Sequence, residues 1–236
     1  MACSAPSRSL TLAGATPSGP LTGPGARESA APSTGSSPKT PATRLPRGLT
    51  QADVQAGLLS ATFRSAGGGT LLTVPGNVKA PSSSGRLVRV RVQVEKGLNV
   101  NGQRFAAFVM RTLNDPRSWG HGGRAHFARV DVDSDIRVVL ASPDTSAHMC
   151  LPLRTFGRLS CHSGDAAVMT IYRWVKAIPD YGSDRTGYRR YLINHEVGHA
   201  LGHGHEYCPG KGRIAPVMQQ QTKGMQGCQV NPWPYP

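Results

Sequence analysis

The stretch Asn194 to Cys208, NHEVGHALGHGHEYC, places four histidines, His195, His199, His203 and His205, within eleven positions. Neutral imidazole is a standard zinc ligand. His195 and His199 are four residues apart, so on a helix they share one face about a turn apart. Their ring nitrogens can then converge on a single ion. Glu196 sits beside that face, able to reach a water on the ion without ligating it. A carboxylate so placed is suited to general-base hydrolysis.

Geometry selects the third ligand. On a continuous helix His203 would stand roughly 12 Å along the axis from His195. Zinc–nitrogen bonds are about 2.0–2.1 Å, so the two could not share an ion. The chain must stop and turn back, and Gly202 permits this because glycine takes positive φ without a Cβ penalty. After the turn His205 returns towards the metal. The expected ligands are therefore His195, His199 and His205, with His203 a turn residue outside the coordination sphere. Three imidazoles leave one zinc position open, the catalytic arrangement rather than a closed structural one.

The string from His195 to His205 matches HExxHxxGxxH without departure. On this motif the chain resembles the metzincin zinc metalloproteases. The resemblance implies one catalytic Zn2+ and a zinc-bound water activated by Glu196. It implies a zinc-dependent metalloendopeptidase acting on a peptide or protein substrate. It also implies a Met-turn beneath the metal, for which Met218 in APVMQQQT is the candidate. The implied fold is α+β: a twisted mixed sheet with a backing helix, then the active-site helix and a small C-terminal subdomain. NHEVGHALGHGHEYCPG, APVMQQQT and DPRSW are also similar to an actinobacterial family of predicted exported, metzincin-like proteins, which implies extracellular or cell-envelope placement. Two positions depart from known members. Gln220 stands where some metzincins have a zinc-touching tyrosine. Glu206 matches a glutamate that pairs with the mature N-terminus in astacin-like enzymes, but here a long tail precedes the domain. Two alternatives stay open: a zinc amidase acting on cell-envelope peptide, and a non-catalytic zinc-containing envelope-binding protein. Metal binding alone does not need Glu196, which argues against the latter.

The elements that must position these residues are legible in part. GRLVRVRVQVEKG alternates, with Val88, Val90, Val92 and Val94 on one face and Arg89, Arg91, Gln93 and Glu95 on the other, which predicts a strand. NGQRFAAFVMRTLND predicts an amphipathic helix ended by Pro116. TLLTV, FARVDV and IRVVLAS read as strands, the last as a sheet edge able to pair with an extended substrate. AAVMTIYRWV suits a buried strand or a helix equally. A helix runs from about Asp184 to Gly202. Residues 49–66 are ambiguous, with Leu58, Leu59 and Phe63 the apolar side of a short helix, and the ordered core starts near Thr70. Residues 1–48 are an Ala/Pro/Ser/Gly-rich stretch too poor in large apolar residues to offset ordering entropy, hence a disordered linker or stalk. Residues 49–236 form the metallopeptidase domain.

Of five cysteines, none lies in a CxxC pair. The last four allow three pairings, and the local ones are expected: Cys150 with Cys161 and Cys208 with Cys228. Disulfides imply an oxidising compartment. Cys3 is left over, and nothing around it resembles a cysteine-switch motif. The net charge of +14 suits an anionic cell envelope. No zinc finger, RNA-binding aromatic pair or recognition-helix pattern accompanies it, so nucleic acid is not the expected partner. No apolar run is long enough to form a transmembrane segment. The N-terminus has no apolar core typical of a signal peptide, so the export signal is expected upstream of a misassigned start.

Overall fold

Residues 45–82 and 85–236 are described by a computed structural model. Cys3 and the first 44 residues of the expected linker lie outside them. The valine alternation produces β2 (Arg86–Glu95), whose valines are buried. This strand is the axis of a mixed sheet. Along one side β4 (Ile136–Ala141) runs parallel to it, with Val90 opposite Ile136. Along the other side two short strands share its length. They are β3 (Ala125–Arg129), parallel to the first half, and β1 (Leu71–Thr73), antiparallel to the second. Beyond β4 lie β6 (Ala166–Thr170), parallel, and β5 (Cys161–Ser163), antiparallel and outermost. With its helices this is the expected α+β architecture.

IRVVLAS, expected at an edge, is β4 and lies between β2 and β6. Its backbone groups are already paired on both sides, so it has none to offer a substrate. The edge strand on that side is β5. AAVMTIYRWV resolves into both candidates, because Thr170 ends β6 and its hydroxyl caps α4 (Ile171–Lys176) by accepting from the Tyr172 amide. The polar face of β2 is not wholly solvated. Glu95 is buried, and its carboxylate accepts from the Gly69 and Ser142 amides and the Thr145 hydroxyl. Burial would raise its pKa, but these bonds outweigh burial and hold it low. Ser142 caps α3 (Pro143–Met149), so the carboxylate also faces a helix N-terminus.

The backing helix α2 (Gly102–Leu113) packs Phe105 and Phe108 edge-on against Trp174, at ring separations of 5.1 and 5.6 Å. The core begins before Thr70. The segment 49–66 supplies α1 (Gln51–Gln55) and then Ala56 and Leu58, both buried, while Leu59 faces solvent. The short helix expected to carry Leu58, Leu59 and Phe63 does not form there: α1 lies before all three, and Gly57, at φ +95° against the backbone of Phe105, ends it.

Asp53 explains why α1 belongs to the domain. It caps its own helix with Thr50, and its carboxylate binds Arg185 and, at 2.7 Å, Arg189. Both Arg residues lie on α5 (Arg185–Ala200), the helix that carries the histidine motif. Arg189 is fully buried and also donates to the Trp174 carbonyl at 2.8 Å. Burial pushes the Asp53 pKa up, yet the bonds from Arg185, Thr50 and Arg189 bring it well below the usual carboxylate range. A carboxyl with a depressed folded pKa contributes stability above its unfolded value, near 4, and loses it as pH falls further. Asp53→Ala should cost about 3–5 kcal/mol at neutral pH, because Arg189 is left buried and unpaired. Urea unfolding should show the gap between parent and variant narrowing below about pH 4.

Candidate metal centre

Asp184 caps α5 by accepting from the Gly187 amide, and the helix carries His195, Glu196 and His199 in its last turns. Its end is a tight reversal. The Gly202 amide donates to the His199 carbonyl at 2.9 Å and the His203 amide to the Gly198 carbonyl at 3.0 Å. This pair of bonds is the Schellman arrangement. Gly202 stands at φ +97°, and nothing lies within 4 Å of where a Cβ would be, so conformation rather than space demands glycine there.

The reversal brings His205 back beside the helix. The ligand nitrogens of His195, His199 and His205 lie within 4.8 Å of one another. His199 Nε2 and His205 Nε2 are 3.1 Å apart. Two nitrogens at tetrahedral zinc distances would be about 3.3 Å apart. His195 Nδ1 donates to the Val217 carbonyl and His199 Nδ1 to the His203 carbonyl, each at 2.9 Å. Those carbonyls fix the tautomer, so each Nε2 carries the free lone pair. Burial pushes the His195 pKa down to about 3 and lowers His199 and His205 as well, so all three are neutral imidazoles at pH 7. These three residues could hold a metal ion.

His203 turns outward. Its ring stacks on Trp119 at 4.2 Å, and it contributes its carbonyl rather than its imidazole. Glu196 is buried beside the ligands, and burial pushes its carboxyl up to about 8. A cleft open to solvent joins Glu196 and the three ligands to Leu153, Ser160, His162 and Gln220. A narrower recess continues past Leu159, Tyr191, Leu192 and Lys223.

Met218 occupies a tight turn closed by the Gln219 amide donating to the Pro216 carbonyl at 3.1 Å. It is fully buried against Gly198, where a Cβ would come within 2.5 Å of the Met218 sulfur and 2.6 Å of Trp119. The Met218 carbonyl accepts from the Glu206 amide, pairing the turn with the segment that carries His205. Glu206 itself is exposed. The Cys150–Cys161 and Cys208–Cys228 disulfides both form as expected, and the second closes a 20-residue span around the turn.

Several contributors had no role assigned from sequence. Ser118 and Trp119 of DPRSW bind Asn194, at its side chain and its carbonyl, both at 2.8 Å. Asn194 in turn donates to the Pro232 carbonyl, so this loop and the C-terminal tail clamp α5 one residue before His195. Gln221 is fully buried and bonds Tyr181, Pro216 and Asn231. His162 reaches the cleft from β5, its ring 6.4 Å from that of His199. The only sequence signals were a Ser-Trp pair, a glutamine run and a lone histidine.

Two outcomes test this geometry. Titration with Zn2+ should give one site, weakened at least about a hundredfold in His199→Ala, whereas His203→Ala should bind within about threefold of the parent because its carbonyl remains. Reduction of Cys208–Cys228 removes a constraint worth about 3 kcal/mol in the chain-entropy model. Zinc affinity should fall on verified reduction, and an unchanged affinity would show that the turn holds without it.

The chain has no match among curated proteins or solved structures. A family model matches residues 58–227, from just after α1 through the Met218 turn. On that match the chain belongs to the family described as "Protein of unknown function (DUF3152)".

Proposed function

We propose that this protein is a zinc-dependent metalloendopeptidase of metzincin type. The observation that carries the reading is the convergence of three neutral imidazole nitrogens beside a buried carboxylate in an open cleft. His195, His199 and His205 would hold the ion. Zinc, when bound, supplies Lewis acidity towards a water and a carbonyl oxygen. Glu196 accepts the proton of the attacking water as the new C–O bond forms. It then returns that proton to the amide nitrogen as the C–N bond breaks. Its burial suits it to hold a proton between those two transfers. The Val217 and His203 carbonyls keep two ligand rings from rotating while this happens.

The cleft suits an extended peptide. The edge strand β5 runs along one wall and can pair with a substrate backbone. Leu153, Leu159 and Leu192 offer an apolar surface to a side chain, with Lys223 and Gln220 at the rim. Two disulfides are compatible with work outside the cell, which is part of this proposal. No helix among the described residues is long and apolar enough to cross a membrane. A second reading, an amidase acting on cell-envelope peptide, keeps the same residues and is favoured by the net charge of +14.

The test is cleavage of a diverse peptide mixture by zinc-loaded protein beside Glu196→Ala. The parent should cut, and the variant should be slower by about 10²–10⁴-fold at unchanged zinc content. Equal cutting by both would remove Glu196 from the mechanism. No cutting by a zinc-loaded parent, with release of amine from cell-wall peptide, would favour the amidase.

A further inference from the structure

The loop closed by the Cys150–Cys161 disulfide has the sequence CLPLRTFGRLSC, which contains two arginines and no acidic residue. It exposes three large apolar side chains: Leu151 at 56%, Leu153 at 52% and Phe156 at 79%. Phe156 is also held at φ +52°, a conformation that a bulky L-residue rarely adopts.

The rest of the loop is pinned. Thr155 is buried, and its carbonyl accepts from the Arg158 amide at 3.0 Å. The Gly157 carbonyl accepts from the Thr170 hydroxyl at 2.7 Å, and a Cβ at Gly157 would strike Pro143. The Arg158 carbonyl accepts from Arg173 at 2.7 Å. Both neighbours of Phe156 are thus fixed, and the ring between them is driven outward. Folding gains nothing from an aromatic ring left in water, and strain at such a position persists where a ligand contact uses it.

Cations lie on this loop and against it. Arg154 and Arg158 are exposed and Arg173 half-buried, with Arg158 and Arg173 flanking Tyr172 at 5.7 and 5.1 Å. None of the ion pairs among the described residues involves these three. Apolar tips among guanidinium groups that have no carboxylate partner match the boundary between lipid headgroups and acyl chains.

We propose that residues 150–161 are a docking tip for an anionic lipid surface. Phe156 and Leu151 enter the interface, and Arg154 and Arg158 meet the headgroups. Leu153 also lines the metal cleft, so docking would hold the cleft opening at that surface. The proposal does not depend on the hydrolytic reading.

The test uses the full chain with vesicles of phosphatidylcholine alone or mixed equally with phosphatidylglycerol. A Phe156→Trp substitution places a reporter at the tip, since Trp119, Trp174 and Trp233 are buried. Its emission should shift to the blue with the anionic vesicles, be quenched by brominated acyl chains, and weaken as salt rises. The parent should sediment with anionic vesicles, and Phe156→Ser should lower that affinity about tenfold or more. Arg154→Ser and Arg158→Ser should each lower it about fivefold. Failure of the parent to sediment would overturn the proposal. So would sedimentation with no blue shift in Phe156→Trp and no loss in Phe156→Ser, which would assign binding to diffuse charge. Capture of the tip by a polyglutamate peptide but not by vesicles would overturn it in favour of an acidic polypeptide.

Discussion

A straight helix cannot bring three imidazoles spread over eleven residues to one point, and much of the C-terminal half answers that constraint. The reversal at Gly202 brings His205 back, but a reversal alone would leave a loose loop. It is fixed because its groups serve two purposes. The His203 amide closes the helix end while its carbonyl holds the His199 ring. Consecutive carbonyls of the Met218 turn then join the two sides of the site. Val217 holds the His195 ring, and Met218 holds the Glu206 amide next to His205. A histidine on the helix and the segment that carries His205 are therefore referenced to one rigid turn.

That turn needs its own support, and polar side chains supply it. The Tyr191 hydroxyl accepts from the Gln221 amide and donates to the Gln219 carbonyl, binding α5 to the residues after Met218. Tyr188 reaches Thr222 one helical turn earlier. Gln219 and Gln221 satisfy carbonyls of the C-terminal segment from inside it. Since the segment has little secondary structure of its own, these bonds replace the ladders that would otherwise satisfy its backbone. Gly198 keeps the turn close, and the Asp53 pair anchors the far end of α5.

What the sequence made legible follows from the range of each interaction. The β2 valines, α2 and the extent of α5 depend on local periodicity, and each was readable within a few residues. That His205 rather than His203 would come beside His195 and His199 was readable too, from helix rise together with the turn that Gly202 permits. The position of β4 was not, since a run such as IRVVLA suits an edge or an interior strand and only its neighbours decide. The buried polarity of Glu95 and the early start of the core were hidden for a similar reason. Each depends on a partner tens of residues away: Ser142 for Glu95, and Arg189 for Asp53. The clamp of Ser118 and Trp119 on Asn194 spans about as far, and no spacing rule connects them.

Burial acts on the two kinds of titrating group at the centre in opposite senses. It drives His195, His199 and His205 towards the neutral form, the one that coordinates a metal. It drives Glu196 towards the protonated form, which cannot accept a proton from water. A single cause thus prepares the ligands and restrains the base. A dication at the three nitrogens would reverse the second effect without undoing the first, because its charge favours the carboxylate while its bonds require neutral imidazole. The buried Glu196 carboxyl is accommodated in its protonated form, and a positive charge beside it would favour the carboxylate.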